Sequence, residues 1–331
     1  MHEMPLLKRS AKVKDLSETS VAIEYLGEEV LLEGAGAGLF KKMYPLLDGK
    51  KCLEQIGCEI EEPLARVQDL LQSLSGAGVV AFLGRTERSM TGLEFYELHR
   101  RFVPHWLRPV YEHPLWDKIT SGKASLAQVL GFAFEKYHYI EGAHEHMGIA
   151  AANATPEMMP HLARHFIEEY THGDIYRKGL QSHFSDAMIL QSQPLPSTRA
   201  LVNFLSETAA RNSFSYYAGN EVLQMTENTK DEGAASSIDD FYSAMRKHYP
   251  SVDRVIDSFI AHTNLDQSLD HENVFKEMCE GIPVLSAAEV KDAMNVARSM
   301  AEHLLLFMDG IDVWYGTHGT VPRLPCTLLS E

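Results

Sequence analysis

HFIEEYTHGDIYRK, residues 165–178, is the stretch on which the fold turns. Glu169 and His172 are three apart, and Glu168 is four from the same histidine. In a helix either pairing sets a carboxylate and an imidazole on one face. A second stretch, IAHTNLDQSLDHEN at 260–273, repeats the pattern with His262 and Asp266 four apart, on a helix whose apolar face is Val255, Phe259 and Leu269. Carboxylate oxygens and imidazole nitrogens projecting from facing helices are the donors that a dinuclear non-haem iron site in a bundle requires.

Outward from these stretches the helical periodicity continues. It predicts helices over 93–112, 124–152, 156–185, 197–228, 237–248, 251–279 and 286–314. Breaks fall at Pro114, Thr155-Pro156, Pro194 to Pro196, Pro250 and Pro283, where proline ends a helix. The expected architecture over 89–331 is an all-α bundle of about seven helices.

Residues 1–88 read differently. Val21–Glu33 is β-branched and apolar around Gly27, which predicts a hairpin. Apolar residues at helical spacing then mark Gly34–Leu47, ended by an Asp48-Gly49 turn, and Leu53–Ile60 is a short second helix. A third helix starts after Pro63 and carries Leu64, Val67, Leu70, Leu71 and Leu74 on one stripe; Gly76-Ala77-Gly78 breaks it before a closing strand at Val79–Leu83. Hairpin, three helices and a β-wing make a small winged-helix, α+β domain. Gly84–Thr91 is a polar linker.

The whole chain narrows the function. Its 331 residues carry a formal net charge of −16, which opposes a phosphate backbone, and the third N-terminal helix sets Arg66 against Asp69 with no basic row. Nucleic acid is therefore excluded as a partner. Apolar runs fall far short of the roughly 20 residues a membrane helix needs, so no membrane is expected. Cys52, Cys58, Cys279 and Cys326 form no Cys-x-x-Cys pair, and no secretory leader is evident, so the expectation is a reducing cytoplasm with thiols. No P-loop and no Gly-x-Ser-x-Gly elbow occurs, and the GAGAG at 34–38 lacks a βαβ context. The 16 histidines, many beside carboxylates, point instead to metal chemistry.

From Glu135 to Asp266 the chain resembles the haem-oxygenase-like diiron oxidases and oxygenases, relatives of the TenA and PqqC folds. The resemblance implies a first ligand at Glu135 in FAFEKYHYIE, a Glu-x-x-His at Glu169 and His172, a third glutamate at Glu227 in YYAGNEVLQMTE, and a last pair at His262 and Asp266. The family's final histidine falls at Leu269, which cannot bind iron; local widening of the helix would bring Asp270 or His271 inward in its place. LLEGAGAGLFKKMYPLLDGKKCLEQI, with the later LLQSLSGAGVV, resembles the peptide-binding PqqD-like domains of peptide-modifying enzymes.

Together these resemblances imply a non-haem diiron enzyme that uses O2 as co-substrate and an external electron donor. Its expected substrate is an amino acid, free, carrier-bound or in a peptide, with N-oxygenation the favoured outcome and a homodimer a compatible state. Two alternatives stand beside it. One is a metal-free enzyme of cofactor metabolism like PqqC or TenA, although the TenA type needs a mid-bundle cysteine and none lies between Cys58 and Cys279. The other is a non-enzymatic peptide-binding scaffold. His138, Glu141, His144, Glu145 and His146 crowd the helix of Glu135 and are expected to support the site or lie at the surface; His99 and His165 are expected to be structural.

Overall fold

The computed structural model describes residues 3–8, 11–25, 28–83, 89–227, 238–268 and 271–325, without the side chains at 28, 83, 226–227, 238–239, 266–268 and 271–273. The chain divides into two compact units, Met1–Arg88 and Ser89–Glu331.

The first unit is α+β. Strands β1 (Met4–Leu7), β2 (Lys12–Ser17), β3 (Ser20–Tyr25) and β4 (Glu28–Glu33) precede helices α1 (Gly34–Met43), α2 (Leu53–Glu59) and α3 (Leu64–Gly76), and β5 (Val80–Leu83) closes the unit. The hairpin read at Val21–Glu33 is β3–β4, with Ser20 opposite Glu33 and Tyr25 opposite Glu28. Two strands escaped the sequence reading. β2 adds to the outer side of β3, and β1 pairs with β5, both antiparallel. Lys12–Ser17 (KVKDLS) is almost wholly exposed, so its apolar alternation is too weak to mark a strand. Val21 and Ile23 of β3 close on Phe40, Met43, Leu71 and Leu74 to form this unit's own core.

The second unit is helical. Its elements are α4 (Gly92–Tyr111), α5 (Pro114–Thr120), α6 (Leu126–Glu141), α7 (Ala143–Ala152), α8 (Met159–Glu169), α9 (Gly173–Leu180), α10 (Asp186–Gln191), α11 (Pro196–Arg211), α12 (Ser213–Glu227), α13 (Ile238–His248), α14 (Asp253–Ser268), α15 (His271–Glu280) and α16 (Ala287–His318). Expected long helices are therefore divided, which raises the number of segments above seven. The breaks lie where no proline warns of them. Gly142 separates α6 from α7, and a Cβ there would sit 3.0 Å from Val202 of α11, so glycine lets α11 approach. Asn212 is extended (φ −159°, ψ 112°) and its Oδ1 accepts from Ser215 N–H at 2.9 Å, which ends α11 and starts α12.

Every residue of Ser213–Leu223 is buried, so α12 is the central helix, covered by α16, α11, α4, α15 and α7. Among the described residues no helix is long and apolar enough to cross a membrane.

The start of α4 rests on a capping box. Thr91 Oγ1 accepts from Glu94 N–H at 3.2 Å, and Glu94 Oε2 accepts from Thr91 N–H at 2.8 Å. Thr91→Ala leaves both bonds weakened or lost and is expected to cost about 1 kcal/mol. A lower urea midpoint at constant m-value is the readout.

Candidate metal centre

α8 ends at Glu169, and His172 stands at the entry to α9 with helical angles (φ −65°, ψ −28°). The helical spacing survives this break, so Glu169 and His172 still face the same way: His172 Nδ1 lies 2.9 Å from Glu169 Oε2. α14 packs against α9 and presents His262, whose ring stands 5.2 Å from that of His172 at 81° and 5.1 Å from that of Tyr176. Among the described residues, Glu169, His172 and His262 form one buried group whose ligand atoms all lie within 4.8 Å of one another.

Burial opposes ionisation of Glu169. Hydrogen bonds and charge from His165 and His172 outweigh it and hold the carboxyl well below the usual range, so this carboxylate is ionised. One ionised oxygen donor with two imidazoles suits a divalent transition metal, as in two-histidine, one-carboxylate sites. Of the two pairings open at 168–172, the geometry selects Glu169; Glu168 is only half-buried.

Beside Glu169 and His262 lies a cavity of about 20 Å³, which they line with Tyr139 and Ile140 of α6, Ala143 and Met147 of α7, and Asn220, Leu223 and Gln224 of α12. Two further histidines stand close by. His165, on the face of Glu169 one turn earlier, has its Nε2 3.6 Å from Glu169 Oε1 and its Nδ1 3.4 Å from the Tyr217 hydroxyl. It flanks the candidate ligand. His146 is fully buried with Nδ1 2.8 Å from the Tyr216 hydroxyl; burial pushes its pKa down to about 3, so it is neutral.

Glu135 is set apart from this group. It is fully buried on α6, where Tyr315 O–H donates to Oε1 at 2.7 Å, and Thr198 O–H and Leu195 N–H donate to Oε2 at 2.5 and 2.9 Å. Three protein donors occupy the oxygens that the sequence reading assigned to iron. Glu221, on the same helix as Glu227, is buried and lies 4.0 Å from the Arg100 guanidinium. Glu227, Asp266 and His271 lie on α12, α14 and α15, but their side chains are outside the described residues, as is Asp270 altogether.

Burial raises the Glu135 carboxyl above its ordinary value, and its three hydrogen bonds only partly offset this. A raised folded pKa means that the folded state holds a proton the unfolded chain has lost. This contribution to stability is therefore complete below the unfolded pKa and is lost as pH rises through the folded value. Glu135→Gln keeps the shape and cannot ionise. Wild-type stability is expected to fall relative to Glu135→Gln as pH rises from about 4.5, measured by denaturant midpoints across the range; parallel profiles would refute the account.

Residues 99–219 match the family model described as TENA/THI-4/PQQC. Among solved structures, the chain is similar to a domain of unknown function with a haem-oxygenase-like fold from Shewanella denitrificans, at 18% identity and TM-score 0.57, covering 70% of this chain and 97% of that one. It is also similar to a TenA homologue from Pseudomonas syringae pv. tomato, at 13% identity and TM-score 0.50, covering 66% of this chain and 92% of that one. At these identities the likeness shows the fold, which is haem-oxygenase-like. No curated protein matches the chain.

Proposed function

We propose that the helical unit is a non-haem iron oxygenase or oxidase acting on an amino acid or amino-acid-derived substrate. The observation that carries this reading is the buried Glu169–His172–His262 triad beside a cavity. These three residues would hold one ion, and a second would draw on Glu227 and Asp266, which the resemblance to diiron enzymes supplies. When bound and reduced by an external donor, iron supplies the activation of O2.

The chain's own residues do the remaining work. The ionised Glu169 brings the negative charge that a divalent ion requires, and His165 stands behind it, limiting its rotation. Tyr176 packs against the His262 ring and fixes its plane. Ile140, Met147 and Leu223 keep bulk water from the cavity, so charge there acts through a low dielectric. The first unit, read as PqqD-like, would present a peptide or carrier-bound substrate.

A second reading is favoured by the family match at 99–219: a metal-free enzyme of cofactor metabolism. The match supports an enzymatic role without selecting between the two. Elemental analysis after anaerobic Fe(II) loading, followed by an absorbance trace on mixing with O2, separates them. Bound iron and an O2-dependent transient support the oxygenase. Iron-free protein under the same conditions overturns it in favour of the metal-free enzyme.

A further inference from the structure

Two amides line the cavity beside the candidate metal ligands. Asn220, Leu223 and Gln224 are spaced i, i+3, i+4 on α12 and face the space that Glu169 and His262 also border. Asn220 is 1% exposed, and its Nδ2 has no hydrogen-bond partner among the described residues; neither has the buried Oε1 of Gln224. One is a donor lacking an acceptor, the other an acceptor lacking a donor. An apolar pair of the same size would fill these positions without the desolvation cost of an unmet polar group. Ile140, Ala143, Met147 and Leu223 in the lining offer the pair nothing to bond to, and the polar groups that share it, Tyr139, Glu169 and His262, leave these two atoms unmet.

We infer that Asn220 and Gln224 are the specificity-determining pair for the substrate, gripping the carbonyl or carboxylate oxygen and the neighbouring N–H of one α-amino-acid unit. The inference rests on the oxygenase reading and names its substrate class. The arithmetic of donors supports it: the pair asks for an acceptor and a donor on adjacent atoms, which an α-amino acid and an amide both provide, whereas a fatty acid or a simple amine provides only one. Asn220 takes the oxygen and Gln224 the N–H, which leaves the side chain against Met147 and Leu223 and the Cα region toward Glu169 and His262. A bridging water would satisfy the same two atoms, and it is the competing occupant.

The test uses the full-length protein, with and without Fe(II), under anaerobic conditions. Ligand-observed NMR against the twenty common L-amino acids and their C-terminal amides identifies binders, and calorimetry gives their affinities. The free acids and the amides together separate a free amino acid from a peptide-linked one. At least one is expected to bind, with its deaminated counterpart weaker by about tenfold or more. Asn220→Asp, nearly isosteric, turns the donor into an acceptor, and Gln224→Met removes the acceptor at similar length. Each is expected to weaken binding by about tenfold or more while iron content and the circular-dichroism spectrum stay at wild-type values. Iron binding without binding of any amino acid or amide, or wild-type affinity in both variants, overturns this inference and leaves a structural water as the occupant. Absence of iron from the wild type is the separate failure of the oxygenase reading.

Discussion

His172→Ala and His262→Ala are each expected to reduce Fe(II) affinity by more than about 100-fold, beyond the 10–100-fold loss typical when only an outer partner of a metal ligand is removed. Each deletes one of three donors from a buried group, and no water-filled surface stands by to replace it. Glu169→Gln should be as damaging for a different reason: it keeps the shape and hydrogen-bonding reach but removes the only negative charge of the triad. Anaerobic equilibrium dialysis measures all three. Glu135→Gln in the same assay is expected to leave the ion held by the triad in place, because its oxygens already accept from Tyr315, Thr198 and Leu195. Retained affinity in the histidine variants would remove the triad from consideration.

Gly131→Ala is expected to destabilise the bundle core by about 3 kcal/mol. A Cβ on Gly131 would lie 2.3 Å from the Tyr315 ring, in a helix that is buried on all sides at this point. The ring must tilt away, and its hydroxyl then leaves Glu135, so overpacking is compounded by an unmet bond to a buried carboxyl. In a unit of this size the midpoint of thermal unfolding should drop by about 6–12 °C. Gly131→Ala with Tyr315→Phe should recover the steric part only slightly, since the ring remains; Gly131→Ala with Tyr315→Leu should recover more. A melting point unchanged in the single variant would show that the ring has room to move.

Much of the helical fold was legible from apolar spacing, and so was the pairing of Glu169 with His172, because a helical period fixes which side chains share a face; that His262 would join them from another helix came from the resemblance alone. What failed has physical causes. The breaks at Gly142, Tyr170 to His172 and Asn212 carry no proline, and their residues tolerate helical and non-helical angles alike. Glu135 lies on a helix buried all round, so a carboxylate there finds partners on any side, and nothing local reveals that Tyr315, 180 residues further on, will meet it. Asn220 and Gln224 have no chemical signature as a pair. Their i, i+4 spacing on the helix of Glu227 was the available signal, but a search for carboxylates and imidazoles passes over amides. β1 and β2 were unread because one is short and the other exposed.

The cavity holds about 20 Å³, room for one water, which needs roughly 10–15 Å³ by the same measure. An amino acid is several times larger, so the space must grow before it can be filled. Met147, with its three rotatable bonds, and Leu223 are the side chains able to swing clear without breaking a helix. Arrival of a guest is then timed by how often the walls part rather than by how often the guest collides, and association is slower than the typical 10⁵–10⁷ M⁻¹s⁻¹ range for docking onto a preformed surface, on the order of tenfold or more. Departure waits on the same event. On the proposed function, the wall would then gate both entry and exit, and its opening would set an upper limit on turnover.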